Sequence, residues 1–213
     1  MSTQTTKEKM LEAAVHLFHT QGYHGTSVRH IAEKAKVNVA LVSYHFGGKK
    51  GLFEQLMTQF LEGYMHVISA ELSKENTGAK ERLLSMLHAL LTYQQTYHYL
   101  ARMVHREMAL DSVLVREIMS TYLRKEKHDF DQLLKLGIRR GEFRKQQLDF
   151  VVIQLRSMLT MPYLYPQYLR ELYQMIPTEP YFVKRYMEHL TRWVNLFLCG
   201  EENQPTRMFV PIR

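Results

Sequence analysis

The sequence predicts an all-α protein, in which an N-terminal three-helix helix-turn-helix domain is followed by a helical dimerisation and regulatory domain. Apolar residues recur at helical spacing along most of the chain. Proline is absent before Pro162, and glycines fall between the amphipathic segments, where helices end. We expect the first domain to span residues 1–47 and the second residues 48–199. Residues 200–213 are polar and lack periodicity, so a flexible tail is expected there.

The first three predicted helices are short and have recognisable ends. The first has one apolar face and ends near Gly22, because glycine readily takes the left-handed conformation of a helix C-cap. Thr26 and Ser27 offer hydroxyl N-caps to a second helix of about ten residues, and Asn38 offers an N-cap to a third that runs to about residue 45. Two consecutive glycines then end the third helix.

The third predicted helix has two different faces. Val42 and Phe46 lie four residues apart and face the core. The residues left facing outward mix small, apolar and aromatic side chains: Val39, Ala40, Ser43 and Tyr44. Two helices separated by a tight turn at residues 35–38, with such a mixture on the second, are typical of a helix-turn-helix. A three-helix cap on a helical bundle is the alternative that this pattern leaves open.

Longer helices are predicted in the rest of the chain. A fourth begins near Lys49 and extends until the sequence Asn-Thr-Gly at residues 76–78 breaks its apolar pattern. The remaining helices are predicted over residues 80–96, 97–110, 112–140, 147–159, 166–174 and 180–198. Pro162 predicts an end or a kink near Leu159, because proline has no N–H for the helical ladder and restricts the residue before it.

The net charge of +7 is concentrated near the N-terminus. Seven basic residues stand against three acidic ones up to Lys50, which gives this short region a charge of +4. Positive charge in a small unit suits a polyanion such as DNA, and a basic surface without a partner is the alternative.

Composition argues against several other classes of protein. The single cysteine, Cys199, excludes an intramolecular disulfide. The N-terminal residues contain no uninterrupted apolar segment of the kind found in signal peptides, and no stretch has the roughly eighteen apolar residues of a membrane span. We therefore expect a cytoplasmic protein with no membrane partner.

The eleven histidines do not form a metal-binding pattern. Pairs such as His16 and His19, or His98 and His105, lack a carboxylate third ligand at regular spacing, and HExxH and CxxC motifs are absent. The chain also has no nucleophile elbow, phosphate loop or paired acid and base in a glycine-lined site. We expect no metal, no cofactor and no enzymatic activity.

Residues 7–60 resemble the DNA-binding domain of the TetR family. The resemblance rests, in order and spacing, on residues 25–32 (GTSVRHIA), Ala35, Val37, residues 43–46 (SYHF), Lys49 and residues 52–53 (LF). Lys36 stands where the turn usually has glycine, and Ser43 where the recognition helix commonly has tyrosine. These departures affect the operator sequence that is recognised rather than the fold.

The resemblance implies which residues contact double-stranded DNA. Phosphate contacts are implied for Thr26, Tyr44, His45 and Lys49. Base-edge contact or packing in the major groove is implied for Val39, Ala40 and Ser43. The remaining polar candidates are Ser27, Arg29 and Asn38, for which a helix cap or a solvated helix residue is the alternative. No arginine, asparagine or glutamine projects from the middle of the predicted recognition helix, so we expect specificity from methyl contacts, water and DNA shape.

The resemblance also implies a homodimer formed by the last helices. The apolar residues there that suit a four-helix-bundle interface are Leu155, Met158, Tyr186, Leu190, Trp193 and Phe197. An intrachain core is the alternative use of these residues. A dimer places two recognition helices about 34 Å apart, which predicts a near-palindromic binding site.

Further runs resemble the TetR-type regulators of FtsZ in endospore-forming bacteria. The runs are residues 116–123 (REIMSTYL), 125–127 (KEK), 161–164 (MPYL), 166–168 (PQY) and 179–182 (EPYF). The resemblance implies a nucleoid-associated protein that binds chromosomal motifs and affects placement of the cell-division ring. A transcriptional repressor released from DNA by a small molecule is the alternative.

Two features of the second domain bear on its partners. The candidate surface for FtsZ is a charged patch, with a merely solvated face as the alternative: Arg102, Arg106, Arg116 and Glu117. Methionines and tyrosines either line a pocket for a small-molecule ligand or fill a core, so the sequence leaves that ligand open. They are Met86, Tyr93, Met103, Met119, Tyr122, Met158, Tyr163 and Tyr165.

Overall fold

The computed structural model describes residues 5–110 and 113–200, and within these ranges it contains helices and no β-strand. The predicted all-α class is confirmed. The helices are α1 (Thr6–Gly25), α2 (Val28–Ala35), α3 (Val39–Phe46), α4 (Lys49–Leu72), α5 (Ala79–Thr96), α6 (His98–Ala109), α7 (Val113–Arg139), α8 (Leu148–Leu164), α9 (Pro166–Tyr173) and α10 (Pro180–Trp193), which a π-helical segment (Val194–Cys199) continues. The tail expected over residues 200–213 lies outside the described residues, apart from its first residue.

A small apolar core holds the helix-turn-helix domain together. Phe18 on α1, Ile31 on α2 and both Val42 and Phe46 on α3 are buried, so α3 turns the predicted face inward. Phe53 on α4 completes this core, because its ring lies edge-on to that of Phe18 with the ring centroids 5.4 Å apart. The first turns of α4 therefore belong to the core of the DNA-binding region.

Side chains cap α2 and α3 at the start of each helix. Ser27 Oγ accepts a hydrogen bond at 3.1 Å from the backbone N–H three residues on, and Asn38 Oδ1 accepts one at 2.9 Å from the N–H two residues on. Both predicted caps are confirmed. Thr26 was predicted to share the capping of α2, and this is wrong, because its hydroxyl donates instead to the carbonyl of Gly22 at 2.8 Å.

The turn between α2 and α3 is made by a lysine in the left-handed region. Lys36 has φ 55° and ψ 46°, and its backbone N–H donates to the Glu33 carbonyl at 3.1 Å. The next N–H, that of Val37, donates to the Ala32 carbonyl at 3.0 Å. A side chain in this conformation costs roughly 1–2 kcal/mol relative to glycine, and the two hydrogen bonds keep the turn closed at that cost.

The second domain is a bundle in which α4 packs against α5 and α7, α6 against α8, and α10 against α5. Aliphatic, methionine and phenylalanine side chains fill its core: Leu83, Met86, Leu87, Leu90, Met103, Phe130, Leu155 and Leu159. The helix α1 contacts both α4 and α6. Through these contacts the bundle supports the helix-turn-helix domain directly.

The helix α8 continues through Pro162 to Leu164, so the predicted end near Leu159 is wrong. Proline leaves the carbonyl four residues earlier, that of Met158, without its helical donor. The Tyr186 hydroxyl donates to this carbonyl at 2.9 Å, and this replacement from α10 allows α8 to pass the proline.

Candidate nucleic-acid interface

The outward face of α3 is the most exposed part of the helix-turn-helix. The Tyr44 side chain is 81% exposed and Val39 is 47% exposed, and Ala40 and Ser43 are exposed between them. His45 is exposed beside Tyr44, with the two rings in a T-shaped arrangement at a centroid distance of 5.0 Å. Small side chains flanked by a large aromatic one form a ridge that matches close approach to a DNA groove.

Three polar residues stand near this ridge. Arg29 and Asn38 are exposed, on the first turn of α2 and at the start of α3, and Ser27 is half-buried. The Asn38 carbonyl oxygen and the Ser27 hydroxyl oxygen are engaged as caps. These caps use only acceptor atoms, so the Asn38 amide N–H groups, the Ser27 hydroxyl proton and the Arg29 guanidinium are polar donors beside α3.

Two of the residues implied as phosphate contacts have a structural position instead. Thr26 is buried, with 2% of its surface exposed, and its hydroxyl is bonded within the chain. Lys49 is half-buried, and its Nζ donates to the carbonyls of Tyr23 and Thr26, both at 2.9 Å. The same ammonium lies 4.3 Å from the centroid of the Tyr23 ring. We therefore correct the expectation for Thr26, whose side chain is bonded inside the chain, whereas the Lys49 ammonium joins the start of α4 to the end of α1.

One member of the charged patch also has an internal position. The guanidinium of Arg106 on α6 donates to the carbonyls of Phe18 at 2.5 Å and His19 at 3.2 Å, near the end of α1. Arg102, one turn earlier, is half-buried. The guanidinium of Arg106 is therefore bonded within the chain, and Arg116 and Glu117 on α7 are exposed.

The residues predicted at the dimer interface differ in exposure. Leu155 and Leu190 are buried in the chain's own core, so the expectation is corrected for them: they have no surface to give to a partner. Met158, Tyr186 and Trp193 are half-buried, and Phe197 is 42% exposed.

Two apolar residues that the sequence interpretation missed are more exposed. Phe150 and Ile153 on α8 are 62% and 57% exposed. Their spacing along α8 is helical, but the same spacing fits an internal face, and only the position of the neighbouring helices distinguishes the two.

An interior cavity of about 20 Å³ lies between α4, α6, α7 and α8, which is room for about one water molecule. Arg156 and Glu126 form an ion pair in its wall, and the Tyr64 hydroxyl donates to Glu126 at 3.1 Å. Burial raises the pKa of Glu126, against the effect of the neighbouring Arg156. Of the methionines and tyrosines named above, Met119 and Tyr122 line this cavity.

His105 contributes a neutral imidazole to the same wall. Burial and the charge of Arg156 lower the pKa of His105 to about 3. Its Nε2 lies 2.6 Å from Gln94 Oε1, which only accepts hydrogen bonds, so the Nε2 position holds the proton. The Gln94 amide N–H in turn donates to the Leu159 carbonyl at 3.1 Å.

Within residues 5–110 and 113–200, no helix is both long and apolar enough to cross a membrane. The same residues contain no cluster of three histidine, cysteine or acidic side chains arranged to hold a metal ion.

Comparison with known proteins identifies relatives of this chain. The family described as bacterial regulatory proteins, tetR family, matches residues 10–56, from α1 into α4. The probable HTH-type transcriptional regulator YttP of Bacillus subtilis (strain 168) is 45% identical over 199 residues, which cover 92% of this chain and 96% of that protein.

Solved structures share the fold. The ketosteroid transcriptional regulator KstR2 of Mycobacterium tuberculosis superposes with a TM-score of 0.76 at 18% identity, covering 94% of this chain and 98% of that one. AibR, solved in complex with isovaleryl coenzyme A and operator DNA, gives a TM-score of 0.73 at 15% identity, covering 88% and 96%. At these identities the likeness shows the fold alone.

The family assignment has two supports. The matched residues 10–56 include the exposed face of α3 and the turn that precedes it. The relative at 45% identity extends the similarity over nearly the whole of both chains. The chain therefore belongs to the tetR family of bacterial regulatory proteins and is a DNA-binding transcriptional regulator.

Proposed function

We propose that the chain binds near-palindromic double-stranded DNA as a homodimer, with one α3 in the major groove of each half-site. The observation that supports this is the outward face of α3, where Tyr44 is 81% exposed beside small side chains. In this proposal Val39, Ala40 and Ser43 approach base edges, and Tyr44 and His45 contact phosphates. Arg29 and Asn38 supply donors at the margin of the contact.

An apolar surface supports the homodimer. Phe150 and Ile153 on α8 are exposed, and so is Phe197 beyond α10. The start of α8 lies beside the end of the π-helical segment, because the Gln146 side-chain N–H donates to the Phe197 carbonyl at 2.6 Å. Further along α8, the Met158 carbonyl accepts the hydrogen bond from the Tyr186 hydroxyl on α10. We place the dimer interface on this combined surface, since exposed apolar side chains that lie close together favour association.

We further propose that the DNA-bound dimer associates with the nucleoid and regulates FtsZ ring placement and cell division. The support is the resemblance of five sequence runs to TetR-type regulators of FtsZ. Three of these runs fall on consecutive helices, at the end of α8, on α9 and at the start of α10. The exposed Arg116 and Glu117 on α7, within another run, are the candidate docking residues for FtsZ.

Selection of bound fragments from a genomic DNA pool tests both the proposed DNA recognition and the proposed role in cell division. We expect enrichment of near-palindromic sites by the wild-type protein and no enrichment by Ala40→Asp, which places a carboxylate against the groove. Equal enrichment by that variant contradicts the assignment of α3 as the reading helix. Sites clustered in particular chromosome regions support a role in division, and a single site beside a divergent gene contradicts it.

The docking residues are tested separately in cells. Arg116→Ala and Glu117→Ala are expected to leave dimerisation and operator affinity unchanged and to abolish the effect on cell division. Division activity that persists in the double variant contradicts this surface.

A ligand-released repressor is the second candidate function. The interior cavity, with the buried Glu126 and His105 and the half-buried Arg156 in its wall, favours it, and the neighbour AibR was solved with isovaleryl coenzyme A. A volume near 20 Å³ requires the walls to move before an acyl group enters. If this function is correct, we expect an acyl coenzyme A to release the protein from operator DNA. If acyl coenzymes A of short, medium and long chain length all fail to release it, the repressor function is contradicted.

A further inference from the structure

A second cavity lies between α1, α6, the end of α8 and α9, apart from the interior cavity. Its volume is about 240 Å³, below the roughly 300–1,000 Å³ of pockets for drug-sized ligands. It therefore suits a small molecule or one end of a larger one. The polar side chains in its wall include His19, His98, Tyr99, Arg102, Gln167 and Arg170.

The wall of this cavity is positively charged. Its lining residues include two arginines and two histidines and no aspartate or glutamate. Burial, followed by the positive charges of Arg106 and Arg170, lowers the pKa of Arg102, which shows a cation crowded by like charges. Arg170 is exposed and partly neutralised by Glu171, with the charged groups 3.0 Å apart. Arg102 thus supplies the less compensated charge.

His19 adds a polar atom that lacks a partner. Within the described residues, its Nδ1 is shielded from solvent and has no hydrogen-bond partner. Burial, with smaller effects from Arg102 and Arg106, lowers the pKa of His19 to about 4. The imidazole is therefore neutral near pH 7, and a neutral imidazole has one N–H to donate.

Two helix starts meet the same cavity. His98 and Tyr99 belong to the first turn of α6, and Pro166 and Gln167 to the first turn of α9. Neither helix has a side-chain cap at its start. The positive end of a helix dipole favours an anion at such positions.

We propose that this cavity binds a small anion with phosphate or carboxylate groups, held by the guanidinium groups of Arg102 and Arg170 beside the two helix starts. The anion supplies the negative charge that the lining lacks. It also contacts α1 and α6 together, beside the hydrogen bond from Arg106 to the His19 carbonyl.

Isothermal titration of the full-length, DNA-free protein with inorganic pyrophosphate and with citrate, at fixed ionic strength, tests the site. We expect saturable binding of at least one probe with one site per chain. Binding of pyrophosphate alone assigns a phosphate ligand, and binding of citrate alone a carboxylate ligand. The measurement contains no DNA, so its outcome is independent of the proposed operator.

Variants locate the binding. Arg102→Gln and Arg170→Gln are each expected to weaken it at least about tenfold, the loss of one charge-assisted contact. Gln167→Glu, at an exposed position, is expected to abolish it by placing a carboxylate in the cavity and remains informative if Arg102→Gln does not fold. Arg139→Gln, an exposed arginine on α7, is the matched control and is expected to bind as the wild type does. The proposal is overturned if neither probe binds saturably, or if Gln167→Glu and Arg170→Gln bind with wild-type affinity.

Discussion

The hydroxyl of Tyr186 on α10 donates to the backbone carbonyl of Met158 on α8 at 2.9 Å. This carbonyl has no helical donor because the residue four positions on is Pro162. Burial raises the pKa of Tyr186 to about 12, so the hydroxyl keeps its proton at physiological pH. A side chain from one helix thus replaces a missing backbone hydrogen bond in another.

We expect Tyr186→Phe to lower the free energy of unfolding by about 1–2 kcal/mol, because a half-buried carbonyl loses its donor. In a Pro162→Ala background, the backbone N–H returns to this carbonyl, and the same substitution is expected to cost at least about 0.5 kcal/mol less. Chemical denaturation at one protein concentration measures both costs. Tyr44→Phe, at an exposed position, is the control. If Tyr186→Phe costs the same in the two backgrounds, the Tyr186 hydroxyl does not replace the missing backbone donor.

The second prediction separates a DNA contact from a structural contact. Tyr44→Phe removes only an exposed hydroxyl, so we expect about tenfold weaker binding to all DNA sequences, the loss of one hydrogen bond in each half-site, and an unchanged unfolding midpoint. Lys49→Met removes the donor to two carbonyls of α1, and we expect a loss of about 2 kcal/mol of stability. Titration of labelled duplexes and thermal unfolding measure the two effects. Wild-type stability of Lys49→Met contradicts its structural position.

The contrast between these two residues shows how far the sequence predicts the site. The caps of Ser27 and Asn38 were predicted correctly, because a cap involves residues two or three positions away. The structural contact of Lys49 was not predicted, because its acceptors lie 23 and 26 positions earlier in the chain. No local pattern records such a contact.

The same reason explains the errors in the second domain. The apolar spacing of Leu155 fits a dimer interface and an internal core equally well, and only the packing of neighbouring helices places it inside. The continuation of α8 depends on Tyr186, which lies 28 positions from its acceptor. Fold class follows from periodicity, whereas the assignment of a face to core or surface requires the tertiary structure.

The third prediction concerns the connection between the domains. Arg106→Ala removes the donors to the carbonyls of Phe18 and His19, so we expect faster amide hydrogen exchange in the last turns of α1. Operator affinity is expected to fall about fivefold, since a loosened α1 packs on α2, and α2 packs on the reading helix α3. Arg139→Ala is the matched control. Unchanged exchange in α1 contradicts a role for Arg106 in the connection.

The fourth prediction is a loss of stability in mild acid. The folded-state pKa of His105, about 3, lies below its ordinary value of 6.5. The unfolded chain therefore binds a proton below pH 6.5 that the folded chain rejects, and the stability from the neutral imidazole is present above pH 6.5 and lost as the pH falls toward 3.

Between pH 7.5 and pH 5 this one histidine is expected to contribute a loss of about 2 kcal/mol. His19, with its pKa lowered to about 4, acts in the same direction, and Glu126, with its pKa raised by burial, acts in the opposite one. The wild type is therefore compared with His105→Leu. Denaturation curves are expected to show that the variant loses less free energy of unfolding than the wild type between pH 7.5 and pH 5. An equal loss of free energy of unfolding in the two proteins contradicts burial of a neutral His105.

The last prediction concerns the dimer. Phe150 and Ile153 are the exposed apolar residues of α8, and a carboxylate there meets the apolar surface of the partner without hydration. We expect Phe150→Glu and Ile153→Glu to give folded monomers by sedimentation equilibrium, with operator binding reduced at least about a hundredfold because a single half-site contributes only part of the binding free energy. Gln154→Glu places the same charge on the adjacent exposed position and is expected to remain a dimer. Dimers that persist in both apolar variants, with wild-type operator affinity, show that the interface lies on another face. A monomer with full affinity for a palindromic site shows instead that dimerisation is not needed for recognition.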